Sequence, residues 1–175
     1  SAAKLFFAYG LGNAMTFPLS VGATIVLNPE RPTPDGVAAL LRQYPVTAFF
    51  AVPTFYAAFL ANANAPQKSE VKIRCCISAG EALPEGIAKR WKERYGVDIH
   101  DGLGTTEMLH IYLTNRSGAI KYGTTGKAVP GYRACVMDDD GRPVAQGQVG
   151  KLAVKGPTGC RYLADERQAN YVPGG

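Results

Sequence analysis

Two glycine-bearing stretches, "SAGEALP" at residues 78–84 and "DGLGTTE" at residues 101–107, hold the residue types best suited to chemistry. In the second, Asp101 ends an apolar run, and Gly102 and Gly104 leave the backbone open to close approach. Thr105 and Thr106 bring hydroxyl donors suited to phosphate oxygens, and Glu107 brings a hard oxygen ligand of the kind magnesium takes. In the first, Ser78, Ala79 and Gly80 close another apolar run, where free backbone N–H and C=O groups can read the edge of a flat ligand. Glu81 equally suits an ordinary β-to-α turn, as an acid near a helix N-terminus. Just beyond the second stretch stands His110, whose imidazole can donate a hydrogen bond in either protonation state. A core histidine satisfied by a backbone carbonyl is the competing assignment.

These loops need elements to hold them. "ATIVL" (23–27), "VTAFFAV" (46–52), "VKIRCCIS" (71–78) and "VDIHD" (97–101) are β-branched, aromatic or apolar runs of strand length, with the unbroken apolar character of a parallel sheet covered on both faces. Helical patterns lie between them. Thr33 can cap a helix that has Pro34 in its first turn and Val37, Leu40, Leu41 and Tyr44 on one face, before Pro45 stops it. Pro84 and Glu85 open another, with Ile87, Trp91 and Tyr95 on its buried side and Gly96 at its end. The alternation implies right-handed crossovers and a doubly wound, mostly parallel α/β sheet over residues 1–115, whose ligands gather at the carboxyl ends of the strands. From 116 to 175 the texture changes: "YRACVMDDDGRPV" predicts a strand, a tight turn at Asp139–Gly141 and a return, and "GKLAVKGP" a further short strand. This is expected to form a small β-rich, barrel-like subdomain, incomplete at its end.

Composition narrows the function classes. Nineteen basic residues give a net charge of +5, but they are scattered, so a nucleic-acid partner is not indicated. The four cysteines lack zinc-knuckle spacing, and adjacent Cys75 and Cys76 cannot readily bridge, which suggests reduced, mostly buried thiols. Two histidines cannot build a histidine-rich metal site, and His100 suits strand-end packing. Ser78 lacks the Gly-x-Ser-x-Gly elbow of a hydrolase, and no Walker-type phosphate loop occurs. The apolar stretch from Leu5 to Leu27 is long enough to span a bilayer, but Asn13, Pro18, Ser20 and glycines interrupt it, so it reads as a helix and then a strand. With no charged leader before an apolar core, a cytoplasmic protein is expected. Because the chain opens inside an apolar segment and Met15 is its first methionine, it reads as an excerpt of a longer protein.

In order along the chain, "AYGLGNAMTFPLSVGATIVL", "FFAVPTFY", "SAGEALP", "DGLGTTE" and "GQVGKLAVKGP" resemble the central part of the acyl-adenylate-forming enzymes. That superfamily comprises acyl- and aryl-CoA ligases, luciferases and peptide-synthetase adenylation domains. "DGLGTTEMLHIYLTN" and "AKLFFAYGLGNAMTFPL" most resemble benzoate-CoA ligases and their hydroxybenzoate relatives. The resemblance implies a two-step reaction with ATP, magnesium and coenzyme A, through an acyl-AMP, on a small aromatic acid. It assigns Thr106 to the α-phosphate and Glu107 to magnesium, as the catalytic pair. It assigns Gly80, Glu81 and Ala82 to the adenine, and Asp101, Gly102 and Leu103 to another side of the nucleotide. Leu103 stands where many members carry tyrosine, so aliphatic packing replaces an aromatic contact.

Ala8, Tyr9, Gly104, His110 and Ile111 match positions around the aromatic acid. Tyr9 and Gly104 suit the narrow slot that a flat ring needs, although "KLFFAYGLGNAM" also suits a buried amphipathic helix. The family's phosphate loop, its ribose-binding aspartate and the distal catalytic lysine have no counterpart in these residues, so the segment alone is expected to be inactive. Alternatives within the fold are a ligase of substituted benzoates, cinnamate-like or medium-chain acids, and a noncatalytic binding module. A homodimer of the longer protein is left open.

Overall fold

The computed structural model describes residues 1–171, so the last four positions of the β-rich segment 116–175 lie outside the described residues. Three of the four apolar runs become strands: β1 at Ala48–Ala51 and β2 at Cys75–Ser78, each shorter than its run, and β3 at Ile99–Gly104, which starts two residues late and continues past Asp101 into the glycine-bearing stretch. They pair in parallel, with Ala51, Ser78 and Asp101 in register where the parallel pairing ends. β4 (Ile111–Thr114) and β5 (Lys127–Ala128) extend the sheet on the β3 side by antiparallel pairing, giving the order β1-β2-β3-β4-β5. β5 therefore joins the first sheet although it lies beyond residue 115. β6 (Arg133–Met137) and β7 (Lys151–Lys155) form a second, two-stranded antiparallel sheet. The expected turn after β6 is present, but the return strand is reduced to a single bridge between Met137 and Pro143. Proline has no N–H to give to a ladder.

"ATIVL" is not a strand. The free edge of β1 is taken instead by the N-terminal residues, where the Ala2 N–H donates to Phe50 O at 2.8 Å. The helical half of the expected helix-and-strand segment does form, as α1 (Ala8–Leu11), a π turn (Gly12–Thr16) and α2 (Phe17–Ser20) in continuous succession. No helix among the described residues is long and apolar enough to cross a membrane.

α3 (Pro34–Gln43) starts as its sequence demands, with the Thr33 hydroxyl accepting from the Gly36 N–H at 3.1 Å. Its buried face is Val37, Ala38 and Leu41; Leu40 is only half-buried and Tyr44 is 40% exposed. Tyr44 falls outside the helix in extended conformation, as expected of a residue held out of the helical region by the following proline. α4 (Pro53–Ala61) and α5 (Glu85–Tyr95) pack together over the sheet, and Gly96 closes α5 in a left-handed conformation with its N–H on Lys92 O. A short α6 (Arg167–Tyr171) ends the described chain. All four cysteines are free, but only Cys76 is buried; Cys135 is exposed because the β6–β7 sheet leaves most of its side chains in solvent.

An aromatic cluster between sheet and helices holds the core. Trp91 is fully buried, with ring centroids of Tyr95, Tyr56 and Phe49 at 4.4, 4.8 and 6.0 Å. The Tyr56 hydroxyl lies 3.1 Å from Phe49 O and 3.0 Å from Ile77 O, so its polar end is satisfied inside the core. Trp91→Ala should cost about 3–5 kcal/mol of unfolding free energy, through lost burial and the cavity left behind. Thr33→Ala should cost about 1 kcal/mol, through the lost cap. Urea unfolding with unchanged slope checks both, and equal losses would move the weight away from the aromatic cluster.

Candidate active site

The strand ends prepare the site. At the carboxyl ends of β1 and β2, the Tyr9 hydroxyl of α1 reaches Ile77 O at 3.0 Å and Ala51 O at 3.3 Å. Burial pushes the Tyr9 phenol far above its ordinary range, so it remains a donor. The His110 ring stacks on Tyr9 at 5.5 Å and meets the edge of Phe17 at 4.7 Å. Its Nε2 lies 3.3 Å from Tyr9 O, so neutral His110 as an Nε2–H tautomer donates to that carbonyl. Burial lowers the imidazole below its usual value, and the Tyr9 carbonyl opposes this more weakly. The contact with a backbone carbonyl is the one expected of a packed histidine, and it sits in a cavity wall.

Two glycines make this approach feasible. A Cβ at Gly12, the first residue of the π turn, would lie 2.5 Å from His110 Cδ2. A Cβ at Gly104 would lie 2.4 Å from His110 O, at the point where the β3–β4 register shifts between Leu103 and Gly104. From there the chain makes a short 3₁₀ turn, Thr106–Met108, capped by Thr105 Oγ1, which accepts from the Met108 N–H at 3.3 Å. Leu109 follows at φ +72, a positive angle that a branched side chain rarely adopts. Loop residues in this condition cluster at functional sites.

A cavity of about 230 Å³ opens between α1, the end of β2 and this turn. Ala8, Tyr9, Gly104, His110 and Ile111 all line it, together with Thr106 and Gly80. The spacing therefore unites residues about a hundred positions apart. Ala79 and Thr105, named above for their backbone groups and hydroxyl, also line it, as do Phe7 and Leu109, which the sequence did not single out although each is adjacent to an anticipated residue. Glu81 and Ala82 do not line it; both are exposed, and the Glu81 carboxylate accepts from Thr54 Oγ1 at 3.2 Å. Leu103, 36% exposed, does not line the cavity, and neither do Asp101 and Gly102, which are buried.

Asp101 is an unusual acid. Its Oδ1 is buried without a hydrogen-bond partner among the described residues, and burial pushes its carboxyl up to about 6, opposed by the N–H groups of Leu83 and Gly102. Glu107 is the opposite case. Its Oε1 accepts from the Tyr162 hydroxyl at 2.5 Å, and that bond leads the causes holding the carboxyl below its ordinary value. Tyr162, 55 positions away, was not foreseen. No three His, Cys, Asp or Glu side chains converge for a metal among the described residues. A single carboxylate fits magnesium that arrives with phosphate oxygens and water, rather than one caged by protein alone. His100 packs as expected, with Nδ1 3.0 Å from Asn115 O.

The AMP-binding enzyme family matches residues 1–162. A benzoate–CoA ligase of Thauera aromatica is 56% identical over 90% of this chain and 30% of that protein. A 4-hydroxybenzoate–CoA/benzoate–CoA ligase of Rhodopseudomonas palustris is 51% identical over 95% of this chain and 31% of its own length. The crystal structure of a benzoate CoA ligase from Burkholderia xenovorans LB400 superposes with a TM-score of 0.93 at 52% identity, covering 97% of this chain and 35% of that one. The chain thus spans 30–35% of the length of these relatives.

Asp101 gives a pH signature. Its carboxyl is raised from 3.8 to about 6 in the folded chain, so between these values the native state holds a proton that the unfolded state releases. Its contribution to stability is present below about pH 4 and is lost as pH rises to 6. Asp101→Asn should therefore gain stability relative to the parent across this window and then level off. Urea unfolding over a pH series measures the difference, and a difference flat from pH 4 to 7 would contradict a buried, perturbed Asp101.

Proposed function

The chain belongs to the AMP-binding enzyme family, and we propose that it is the central part of a longer ATP-dependent ligase that joins benzoate, or a close aromatic relative, to coenzyme A. In the first step a carboxylate oxygen bonds to the α-phosphorus of ATP and pyrophosphate leaves, giving an acyl-AMP. In the second, the thiol of coenzyme A attacks the acyl carbon and AMP leaves, giving the thioester. The observation that carries this reading is the single cavity in which Ala8, Tyr9, Gly104, His110 and Ile111 meet Thr106. An acid held there would lie beside a hydroxyl able to donate to phosphate.

In this reading the acid lies against the Tyr9 ring and the Gly104 backbone, in a slot of about 230 Å³ that accommodates one aromatic ring. Neutral His110 keeps that slot from carrying a buried positive charge. Thr106 donates to the α-phosphate, while Gly80, Glu81 and Ala82 on one side and Asp101, Gly102 and Leu103 on the other flank the nucleotide. Glu107 would hold magnesium, which when bound neutralises charge on the phosphate oxygens. Catalysis rests on positioning and on donors placed where charge develops. The segment alone would be inactive; the whole ligase would work in the cytoplasm, with a homodimer as one arrangement to test by its mass in solution.

The longer ligase, given ATP, magnesium and coenzyme A, should form thioesters of benzoates in preference to fatty acids. Thioester formation with fatty acids alone would defeat the aromatic assignment, and benzoate and nucleotide binding without turnover would favour a noncatalytic module. Thr106→Ala and Glu107→Gln should each slow benzoate-dependent ATP–pyrophosphate exchange by roughly 100-fold. His110→Ala should raise the KM for benzoate more than that for ATP. Unchanged benzoate dependence would return His110 to a packing role.

A further inference from the structure

After β7 the chain turns back across the turn that carries Glu107. Thr158 Oγ1 donates to Met108 O at 2.7 Å, and the Tyr132 hydroxyl, 2.6 Å from the same Oγ1, donates to it in turn. Tyr162 then places its hydroxyl 2.5 Å from Glu107 Oε1. Tyr162 is itself fixed from several sides. Its N–H donates to Gln168 Oε1 at 2.8 Å, the Arg167 guanidinium lies 5.1 Å from its ring centroid, and Asp165 holds that guanidinium. The Tyr171 ring lies 6.2 Å from that of Tyr162 but is itself exposed, as is Leu163, so the polar contacts rather than a hydrophobic seat define where Tyr162 sits.

A glutamate on a short surface turn ordinarily samples several rotamers, and a metal must order it before the bond is productive. A carboxylate already gripped through one oxygen presents the other in a restricted direction. We propose that Tyr162 is a positioning residue for Glu107: its hydroxyl holds one carboxylate oxygen so that the group is preset to receive magnesium carried by the nucleotide. The inference rests on the reading of Glu107 given above. It adds a residue from the β-rich part of the chain to a site otherwise built from the α/β part. The division of labour between the two contacts is specific, since Thr158 holds the turn's backbone and Tyr162 holds the carboxylate.

The test uses the longer ligase with ATP present and the aromatic acid absent, so that no turnover occurs, and reads Mn²⁺ binding by electron paramagnetic resonance. Tyr162→Phe keeps the ring and removes the hydroxyl. It should weaken Mn²⁺ binding 10- to 100-fold while leaving metal-free ATP affinity and the melting temperature of the metal-free protein near those of the parent. Thr158→Val, which loosens the turn but leaves Tyr162 its hydroxyl, should affect Mn²⁺ binding much less. Equal weakening in the two variants would reduce Tyr162 to a structural clasp and overturn the proposal. Unchanged Mn²⁺ binding in Tyr162→Phe, with binding lost in Glu107→Gln, would also overturn it while sparing the role of Glu107. Binding unchanged in Glu107→Gln as well would overturn both.

Discussion

The Tyr9 hydroxyl, bridging the carbonyls at the ends of two parallel strands, is the contact from which the rest of the cavity hangs. Parallel strands that stop side by side leave carbonyls pointing out of the sheet, and those buried from water need a donor. Tyr9 supplies one from α1, and because burial keeps the phenol protonated, the bond does not depend on pH in any ordinary range. With the hydroxyl tied down, the Tyr9 backbone carbonyl and ring are fixed too, and these are the surfaces that His110 meets. The position of one imidazole is therefore set by strand ends that it does not touch.

The segment from Gly104 to Ile111 carries a second constraint. It contributes one wall of the cavity and, through Glu107, the carboxylate on the phosphate side. Between them lie a register shift, a 3₁₀ turn and a residue at positive φ, so the two sides are joined by a stiff and partly strained stretch. The tail of the chain grips the same turn through Thr158 and Tyr162. Movement of the β-rich part would thus be felt at Glu107 before it reached Tyr9.

Legibility followed the range of the forces. α3 and α5 were readable because their caps and apolar spacing are local, and both appear with the expected start and stop. "ATIVL" has the composition of a strand but no free edge to pair with, since the N-terminal residues already occupy that of β1; pairing is a property of the sheet, not of the run. At the site, the five cavity residues came from two segments that only a family resemblance could bring together. Residue types alone left His110 open between ligand and packing, and its contact with Tyr9 O explains why both assignments were reasonable. Glu81 and Ala82 share a loop with Gly80 yet do not line the cavity, and the Glu81 carboxylate is engaged by the Thr54 hydroxyl, a partner 27 positions away that the loop's own sequence does not announce. Tyr162 was invisible for a simpler reason: nothing near it in sequence announces a partner 55 positions away.

The missing side chains at Gly12 and Gly104 set the direction in which this cavity can evolve. Neither position can gain even a methyl group without driving it into residue 110, at Gly12 into the imidazole and at Gly104 into the backbone carbonyl. Phe7 and Leu109, large side chains that line the cavity, are both exposed, so new volume for a different acid costs the core least at these two positions. Selection on this scaffold therefore acts as a one-sided dial: trimming Phe7 or Leu109 enlarges the slot, whereas a side chain at Gly12 must displace the imidazole and one at Gly104 must displace the backbone at residue 110.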